Sequence, residues 1–183
     1  MSKIKRLLQS YSSFITVPWR DDAAAPQRVI FCVYDPSDER AMRAKIDEFE
    51  LATREAGHDW ALFDLTDTFA NWLTPQRYAE NYFKQPHRLS TLLPQYHAFI
   101  VQNFAAFIEK KAIGADTVVA LAGVGALFGF LKVKDVVDTL APMVKGRLLV
   151  FFPGSYENNN YRLLDGYDGW NYLAVPITAD KDF

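Results

Sequence analysis

The segment RVIFCVYDPSDERAMR, residues 28–43, gives the clearest indication of fold class in this 183-residue chain. After Arg28 the residues to Tyr34 are all apolar or aromatic, and two of them are β-branched valines, which is typical of a strand buried on both faces of a sheet. Asp35 and Pro36 then end the strand, because Asp is a favoured helix N-cap and Pro is favoured at the first helical position. We expect the following helix to run to about residue 56 and to stop at Gly57. A doubly buried strand that leads directly into a helix indicates an α/β fold.

The same alternation of strands and helices continues along the chain. Further strands are predicted at residues 58–65, 117–122, 147–152 and 170–177, with a short strand at 161–164 beside the last. Helices are predicted to begin near residue 66 and to cover 74–84, 89–112 with a bend at Pro94, and 134–143. Because parallel strands joined through helices bury both faces, the predicted architecture is an α/β three-layer sandwich with a mainly parallel central sheet of about five strands. Such a sheet forms its ligand crevice at the carboxyl ends of the strands.

Residues 1–27 are predicted to form an N-terminal amphipathic helix and a linker, ahead of a single α/β domain at residues 28–183. Apolar residues between Ile4 and Phe14 recur at helical spacings, with basic residues on the other side. The simplest partner for this apolar face is the core of the domain itself. A membrane surface or another subunit is the alternative.

Composition and charge exclude some classes of function. A formal net charge of −2 and a pI near 5.9 disfavour a primary DNA-binding role that rests on counterion release. Arg40, Arg43 and Lys45 leave a local DNA contact open, although acidic neighbours dilute their charge. Cys32 is the single cysteine and lies in an apolar run, which fits a buried thiol in a reducing cytoplasm. Since no signal peptide and no run of about eighteen apolar residues is visible, we expect a soluble cytoplasmic protein without a membrane contact.

The glycine-rich segment AGVGALFG, residues 122–129, resembles a nucleotide-binding loop in its position between a strand and a helix. It lacks the lysine of a P-loop, because Phe130 follows Gly129, and Phe128 stands where the dinucleotide fingerprint needs its third glycine. The fold is therefore predicted to be degenerate nucleotide-binding-like without a P-loop. The small residues would instead allow a close approach to the sheet.

No catalytic, cofactor-binding or metal site is predicted. Ser155 follows a strand, but it lacks the GxSxG context, no histidine comes after it, and the three histidines share no metal-ligand spacing. Asp35, Asp64 and Asp67 are candidate magnesium ligands, although helix capping explains the first and the last. The alternative that stays open is a nucleotide- or metal-dependent enzyme or switch that uses the crevice beside Asp35, Asp64 and Gly123.

The segment FPGSYENNNYRLLDGYDGWNYLAVPI, residues 152–177, carries the predicted binding site. Tyr, Trp and Arg dominate protein-binding hot spots, because large rings bury area at little entropic cost and a guanidinium grips carboxylates. In the competing explanation the aromatic residues point into the core while Asp165 and Asp168 form turns. Turns do not explain why so many aromatic residues, including Tyr167, lie together. The residues predicted to contact a partner protein are Tyr156, Glu157, Asn158, Tyr161, Arg162 and Trp170.

The same segment, together with RVIFCVYDPSDERAMR and HDWALFDLTDTFANWL at residues 58–73, resembles the BrxB family of bacteriophage exclusion (BREX) defence systems. The resemblance extends from about Val29 to about Ile177. It implies a small non-catalytic component of a multiprotein complex, associated with the alkaline-phosphatase-like PglZ component. We therefore expect an adaptor or scaffold that binds the PglZ-like component and other BREX proteins, with no cofactor, no small-molecule substrate, and DNA contact only within the complex. The N-terminal helix is a second candidate surface for a partner.

Overall fold

A mixed sheet forms the centre of the protein, whose structure is a computed structural model that describes residues 1–166 and 169–180. Seven strands lie within these residues. They are β1 (Val29–Tyr34), β2 (Asp59–Asp64), β3 (Thr117–Ala122), β4 (Arg147–Glu157), β5 (Asn160–Leu163), β6 (Trp170–Asn171) and β7 (Val175–Ile177).

The helices connect and flank these strands. They are α1 (Lys3–Ile15), α2 (Glu39–Arg43), α3 (Ile46–Glu55), α4 (Thr68–Leu73), α5 (Ala79–Lys84), α6 (Leu93–Lys110) and α7 (Val133–Leu140). Short 3-10 turns cover Ala25–Arg28, Pro36–Asp38, Pro86–Thr91, Val124–Leu127 and Ala141–Met143. Pro94 lies in the first turn of α6, where its missing N–H removes no helical hydrogen bond, so the predicted bend is replaced by a helix start.

The strand order β2-β3-β4-β1-β7 joins neighbours that are all parallel. The expectation of a mainly parallel sheet of about five strands is nevertheless wrong for the whole sheet, because β5 and β6 add antiparallel pairs to the end of β4. The cause is the length of β4, which continues to Glu157 and returns as a hairpin. The predicted strand at 170–177 is correspondingly two short strands, β6 beside β5 and β7 beside β1.

Each face of the sheet carries its own hydrophobic core. Alternate residues of β1 divide between the cores: Val29, Phe31 and Val33 belong to the larger core, which includes residues of α4, α6 and α7. Ile30 and Cys32 belong to the smaller core with residues of α1 and α3. This division explains why β1 is apolar at every position, since a strand covered on both faces has no polar side.

Helix α1 packs on the domain's own core. Ile4, Leu7 and Ile15 are buried in the smaller core, and the Tyr11 hydroxyl lies 2.6 Å from Thr53 Oγ1 of α3. The apolar face of α1 therefore packs mainly on the domain's own core, the simpler of the two expectations, and the use of α1 as a second partner surface stays a prediction. Across the described ranges, no helix combines the length and the apolar character needed to cross a bilayer.

Candidate functional site

The end of β4 and its two antiparallel neighbours form a small sheet that extends beyond the parallel one. Pairing with β1 ends at Tyr34 opposite Pro153, and residues 154–157 pair instead with β5. Asn158 and Asn159 form the two-residue turn between β4 and β5 with φ values of 50° and 63°. Two successive positive φ values match the twist of a tight hairpin, and asparagine tolerates them better than most residues. We call residues 154–163 and 170–171 the hairpin extension.

The aromatic residues of the hairpin extension pack mainly against the larger core. Tyr161 is fully buried, and its ring centroid lies 4.6 Å from those of Phe31 and Tyr156 and 5.3 Å from that of Trp170. Its hydroxyl donates to the carbonyl of Ala174 at 3.2 Å, and burial raises its pKa. The prediction that Tyr161 contacts a partner is therefore corrected. The alternation of a strand places Tyr161 on the core face, where it anchors the hairpin.

The other predicted contact residues divide between the two faces of the hairpin extension. Tyr156 and Trp170 are half-buried on the core side, and the Tyr156 hydroxyl donates to Asn159 Oδ1 at 3.1 Å. Glu157, Asn158 and Arg162 are exposed. The structure thus brings the six predicted residues together in one hairpin extension and presents three polar ones to solvent. Tyr167 and Asp168, part of the same predicted segment, lie outside the described residues.

An apolar depression of about 680 Å³ adjoins the hairpin extension and shares Leu163 and Trp170 with it. The opposite wall comes from the loop after β3, where Phe128 is 44% exposed and Phe130 stacks on Phe69 at 4.1 Å. Sequence reasoning missed Phe128 as a surface residue, because the glycines around it were considered only as a nucleotide-binding loop. The signal that could have identified it is a large aromatic residue in a short, glycine-punctuated connection.

A network around Arg43 lines a depression of about 300 Å³ at the carboxyl ends of the parallel strands. This guanidinium donates to Glu39 at 2.8 Å and to Thr66 Oγ1 at 2.6 Å, and lies 3.4 Å from Asp64. Burial acts to raise the pKa of Asp64, but hydrogen bonds from Thr66 and the charge of Arg43 bring it below its usual value. The charge of Arg43 is therefore already balanced by carboxylates.

Gly123 is a glycine because a side chain does not fit at its position in this crevice. Its φ of 72° is left-handed, and a Cβ there would lie 2.4 Å from Thr66 Oγ1 and 2.6 Å from the Thr66 backbone nitrogen. The small residue therefore permits close approach of the β2–α4 connection, in agreement with a structural role for the segment 122–129.

The candidate metal and catalytic residues each make local contacts. Asp35 caps the 3-10 turn that follows it by accepting hydrogen bonds from the backbone and hydroxyl of Ser37, which lower its pKa. Asp67 occupies the N-cap position of α4 as predicted, although its side chain makes no capping hydrogen bond. Ser155 lies within β4 opposite Arg162, and a hairpin turn rather than a helix follows it. In the part of the chain that the structure describes, no three His, Cys, Asp or Glu side chains are grouped to hold a metal ion.

Comparison with known proteins gives one family. The family model described as BREX protein BrxB matches residues 62–176, which is more than half of the chain. The match runs from within β2 to within β7 and includes the whole hairpin extension, whereas α1 and β1 precede it. No curated protein and no solved structure matches the chain. The chain therefore belongs to the BrxB family and is a component of BREX phage defence.

Proposed function

We propose that this protein is a non-catalytic adaptor of a BREX complex, and that it binds the PglZ-like component through the hairpin extension. The observation that carries this proposal is the exposed trio of Glu157, Asn158 and Arg162 on a hairpin whose position is fixed by the buried ring of Tyr161. Strands anchored in a core position side chains more precisely than a mobile loop does, which lowers the entropy lost on binding.

The neighbouring apolar depression supports a protein partner. Stable interfaces combine a desolvated apolar centre, often aromatic, with a polar rim. Here Phe128 and Trp170 offer apolar area, and Arg162 and Glu157 lie on the adjoining hairpin. Arg162 is the residue in this set whose side chain can form a paired contact with a partner carboxylate.

The charge pairing in the crevice supports a role without turnover. Arg43, which lines the depression beside Gly123, pairs with Glu39 and Asp64, so its charge is already balanced by carboxylates. We expect that ATP, GTP and Mg²⁺ leave the melting temperature unchanged in a thermal-shift assay. Since a ligand of the native state raises stability by mass action, a rise with any of the three would favour the enzyme or switch instead.

The proposal also covers the layered arrangement of the fold and the cellular location of the protein. We infer a three-layer sandwich related to nucleotide-binding folds, which the presence of helical residues in the core on each face of the sheet supports. We also infer a cytoplasmic location, which the buried free thiol of Cys32 supports.

The partner surface is tested by reversing the charge of Arg162. Purified PglZ-like component is titrated with wild-type protein and with Arg162→Glu, and the fold is checked by circular dichroism. Loss of a hot-spot arginine costs about 2 kcal/mol or more, so we expect at least tenfold weaker binding. Arg88→Glu, an exposed cation outside the hairpin extension, is the matched control and should bind as wild type does. Equal binding by Arg162→Glu and the control would remove this surface from the proposal.

A further inference from the structure

The sheet has a gap above the carboxyl end of β1. The last described pairs of β1 are Tyr34 with Pro153 of β4 and Cys32 with Ile177 of β7, and the chain then turns away through Pro36–Asp38. Strand β4 continues to Glu157, and the chain after β7 continues along the other side of the gap to Asp180. Because β1 lies between β4 and β7, a segment that continued the line of β1 would run between these two flanking segments.

A cavity of about 530 Å³ occupies this gap. Its floor is apolar and buried, formed by the end of β1 at Val33 and Tyr34 and by Ile4 and Leu7 of α1. One wall is residues 154–159, and the other is residues 178–180. We call this cavity the strand gap.

The backbone of β4 is oriented for pairing on the side of the strand gap. The amide of Leu164 donates to the carbonyl of Pro153 at 2.9 Å, so Pro153 turns its carbonyl away from β1 and toward β5. Because backbone groups alternate along a strand, the next residue, Gly154, turns its carbonyl to the opposite edge, which borders the strand gap. Pro36, which follows the end of β1, has no N–H with which to continue the ladder on that edge.

The rim of the strand gap is acidic. Among the residues that the structure describes, its lining includes the carboxylates of Asp35, Asp38, Glu157 and Asp180 but a single ammonium, that of Lys3. This excess of negative charge repels nucleic acid and acidic segments, and it attracts a cationic one. The apolar floor and the strand edge favour a polypeptide over a free cation, because a peptide offers both side chains to bury and an N–H row to pair.

We propose that the strand gap takes an extended, lysine- or arginine-bearing segment of a partner protein, which continues the sheet beside β4. The inference rests on the proposed adaptor function and specifies a second contact with the partner, separate from Arg162. Residues 154–157 give about 13 Å of strand edge, enough for about four residues of the incoming segment. Its basic side chains meet the acidic rim, and its alternate apolar side chains cover Ile4 and Leu7 on the α1 face of the sheet.

The test uses fluorescein-labelled, end-capped octapeptides and fluorescence anisotropy with the full chain. An alternating Lys–Val peptide is expected to bind, whereas the Glu–Val counterpart is expected to bind at least tenfold more weakly. When alternate amides of the Lys–Val peptide are N-methylated, we expect its affinity to fall at least tenfold, because it can no longer pair as a strand. Equal binding of the Lys–Val and Glu–Val peptides, or of the methylated and unmethylated forms, would overturn the proposal.

Variants of the acidic rim distinguish binding in the strand gap from general attraction between a cationic peptide and an acidic protein. The double variant Asp38→Lys with Asp180→Lys, which we call the rim pair, should weaken binding of the Lys–Val peptide at least tenfold. The milder double variant Asp38→Asn with Asp180→Asn should weaken it by less. The pair Asp47→Lys with Glu55→Lys on α3 changes the net charge equally and should stay within twofold of wild type. If the α3 pair weakens binding as much as the rim pair, the strand gap is not the site.

The rim pair also distinguishes this proposal from the adaptor function. Both the rim pair and Arg162→Glu are titrated against the PglZ-like component. Loss with Arg162→Glu but not with the rim pair would overturn the strand-gap proposal and keep the adaptor function. Loss with the rim pair but not with Arg162→Glu would keep the strand gap and remove the hairpin surface.

Discussion

Replacing Tyr161 with alanine should destabilise the protein severely, although the residue belongs to the segment first predicted to bind a partner. Its side chain is fully buried among Phe31, Tyr156 and Trp170, and its hydroxyl donates to Ala174. Truncation of a buried aromatic ring to alanine costs about 3–5 kcal/mol through lost transfer energy and the cavity left behind. The lost hydrogen bond adds about 1 kcal/mol. We expect about 4 kcal/mol, because the hairpin extension lies at the end of the sheet and can partly collapse into the space.

The measurement is urea unfolding followed by circular dichroism, with the free energy of unfolding extrapolated to water. A loss of about 4 kcal/mol is a large share of the roughly 5–15 kcal/mol that stabilises a domain. Tyr161→Phe keeps the ring and should lose about 1 kcal/mol. Arg162→Ala, the exposed neighbour, should stay within about 0.5 kcal/mol of wild type. A loss below about 1 kcal/mol for Tyr161→Ala would refute the conclusion that this ring anchors the hairpin extension.

Other perturbations test other parts of the structure. Gly123→Ala should lower the free energy of unfolding by more than about 2 kcal/mol in urea, because the backbone is left-handed there and the new Cβ would clash with Thr66. Gly114→Ala is the control and should be neutral or slightly stabilising, since its Cβ would meet nothing within 4 Å. Similar losses for both variants would contradict the role of Gly123. Phe128→Ser should change the free energy of unfolding by about 0.5 kcal/mol or less, because the side chain is exposed. In titration it should weaken binding of the PglZ-like component. Unchanged affinity would exclude the apolar depression from the interface. Because the folded-state pKa of Asp64 lies below its ordinary value near 3.8, its carboxylate stabilises the native state above that pH and loses this contribution as the pH falls further. The stability difference between wild type and Asp64→Asn should therefore shrink between pH 7 and pH 3, and a constant difference would show that the Arg43 network does not stabilise the fold.

The parallel strands were predictable because their signals are local. Strands β1 and β3 lie within one residue of their predicted bounds, since each is an apolar run ended by Asp-Pro or by glycine. The length of β4 was not predictable, because Pro153 and Gly154 resemble a strand end. They continue in a strand only because β5 returns to pair with them, and that pairing depends on contacts outside the segment.

The candidate site was predictable in composition but not in orientation. The polar residues Glu157, Asn158 and Arg162 are exposed as expected, whereas Tyr161 is in the core. The alternation of Tyr161 and Leu163 with polar neighbours could have indicated a core face, but only once the strand was assigned. The strand gap could not have been predicted, because its walls come from residues near 3, 35, 157 and 180 that meet only in the folded sheet.

The position of β1 between β4 and β7 has a consequence for synthesis of the chain. β1 leaves the ribosome early, yet both of its partners are encoded more than a hundred residues later. Its six apolar and aromatic residues must therefore stay unpaired until nearly all of the protein has emerged, which favours slow folding and a need for chaperone protection of the nascent chain. A fragment beginning at residue 62, where the family match begins, would lack the strand that joins β4 to β7 and should not fold as an independent unit.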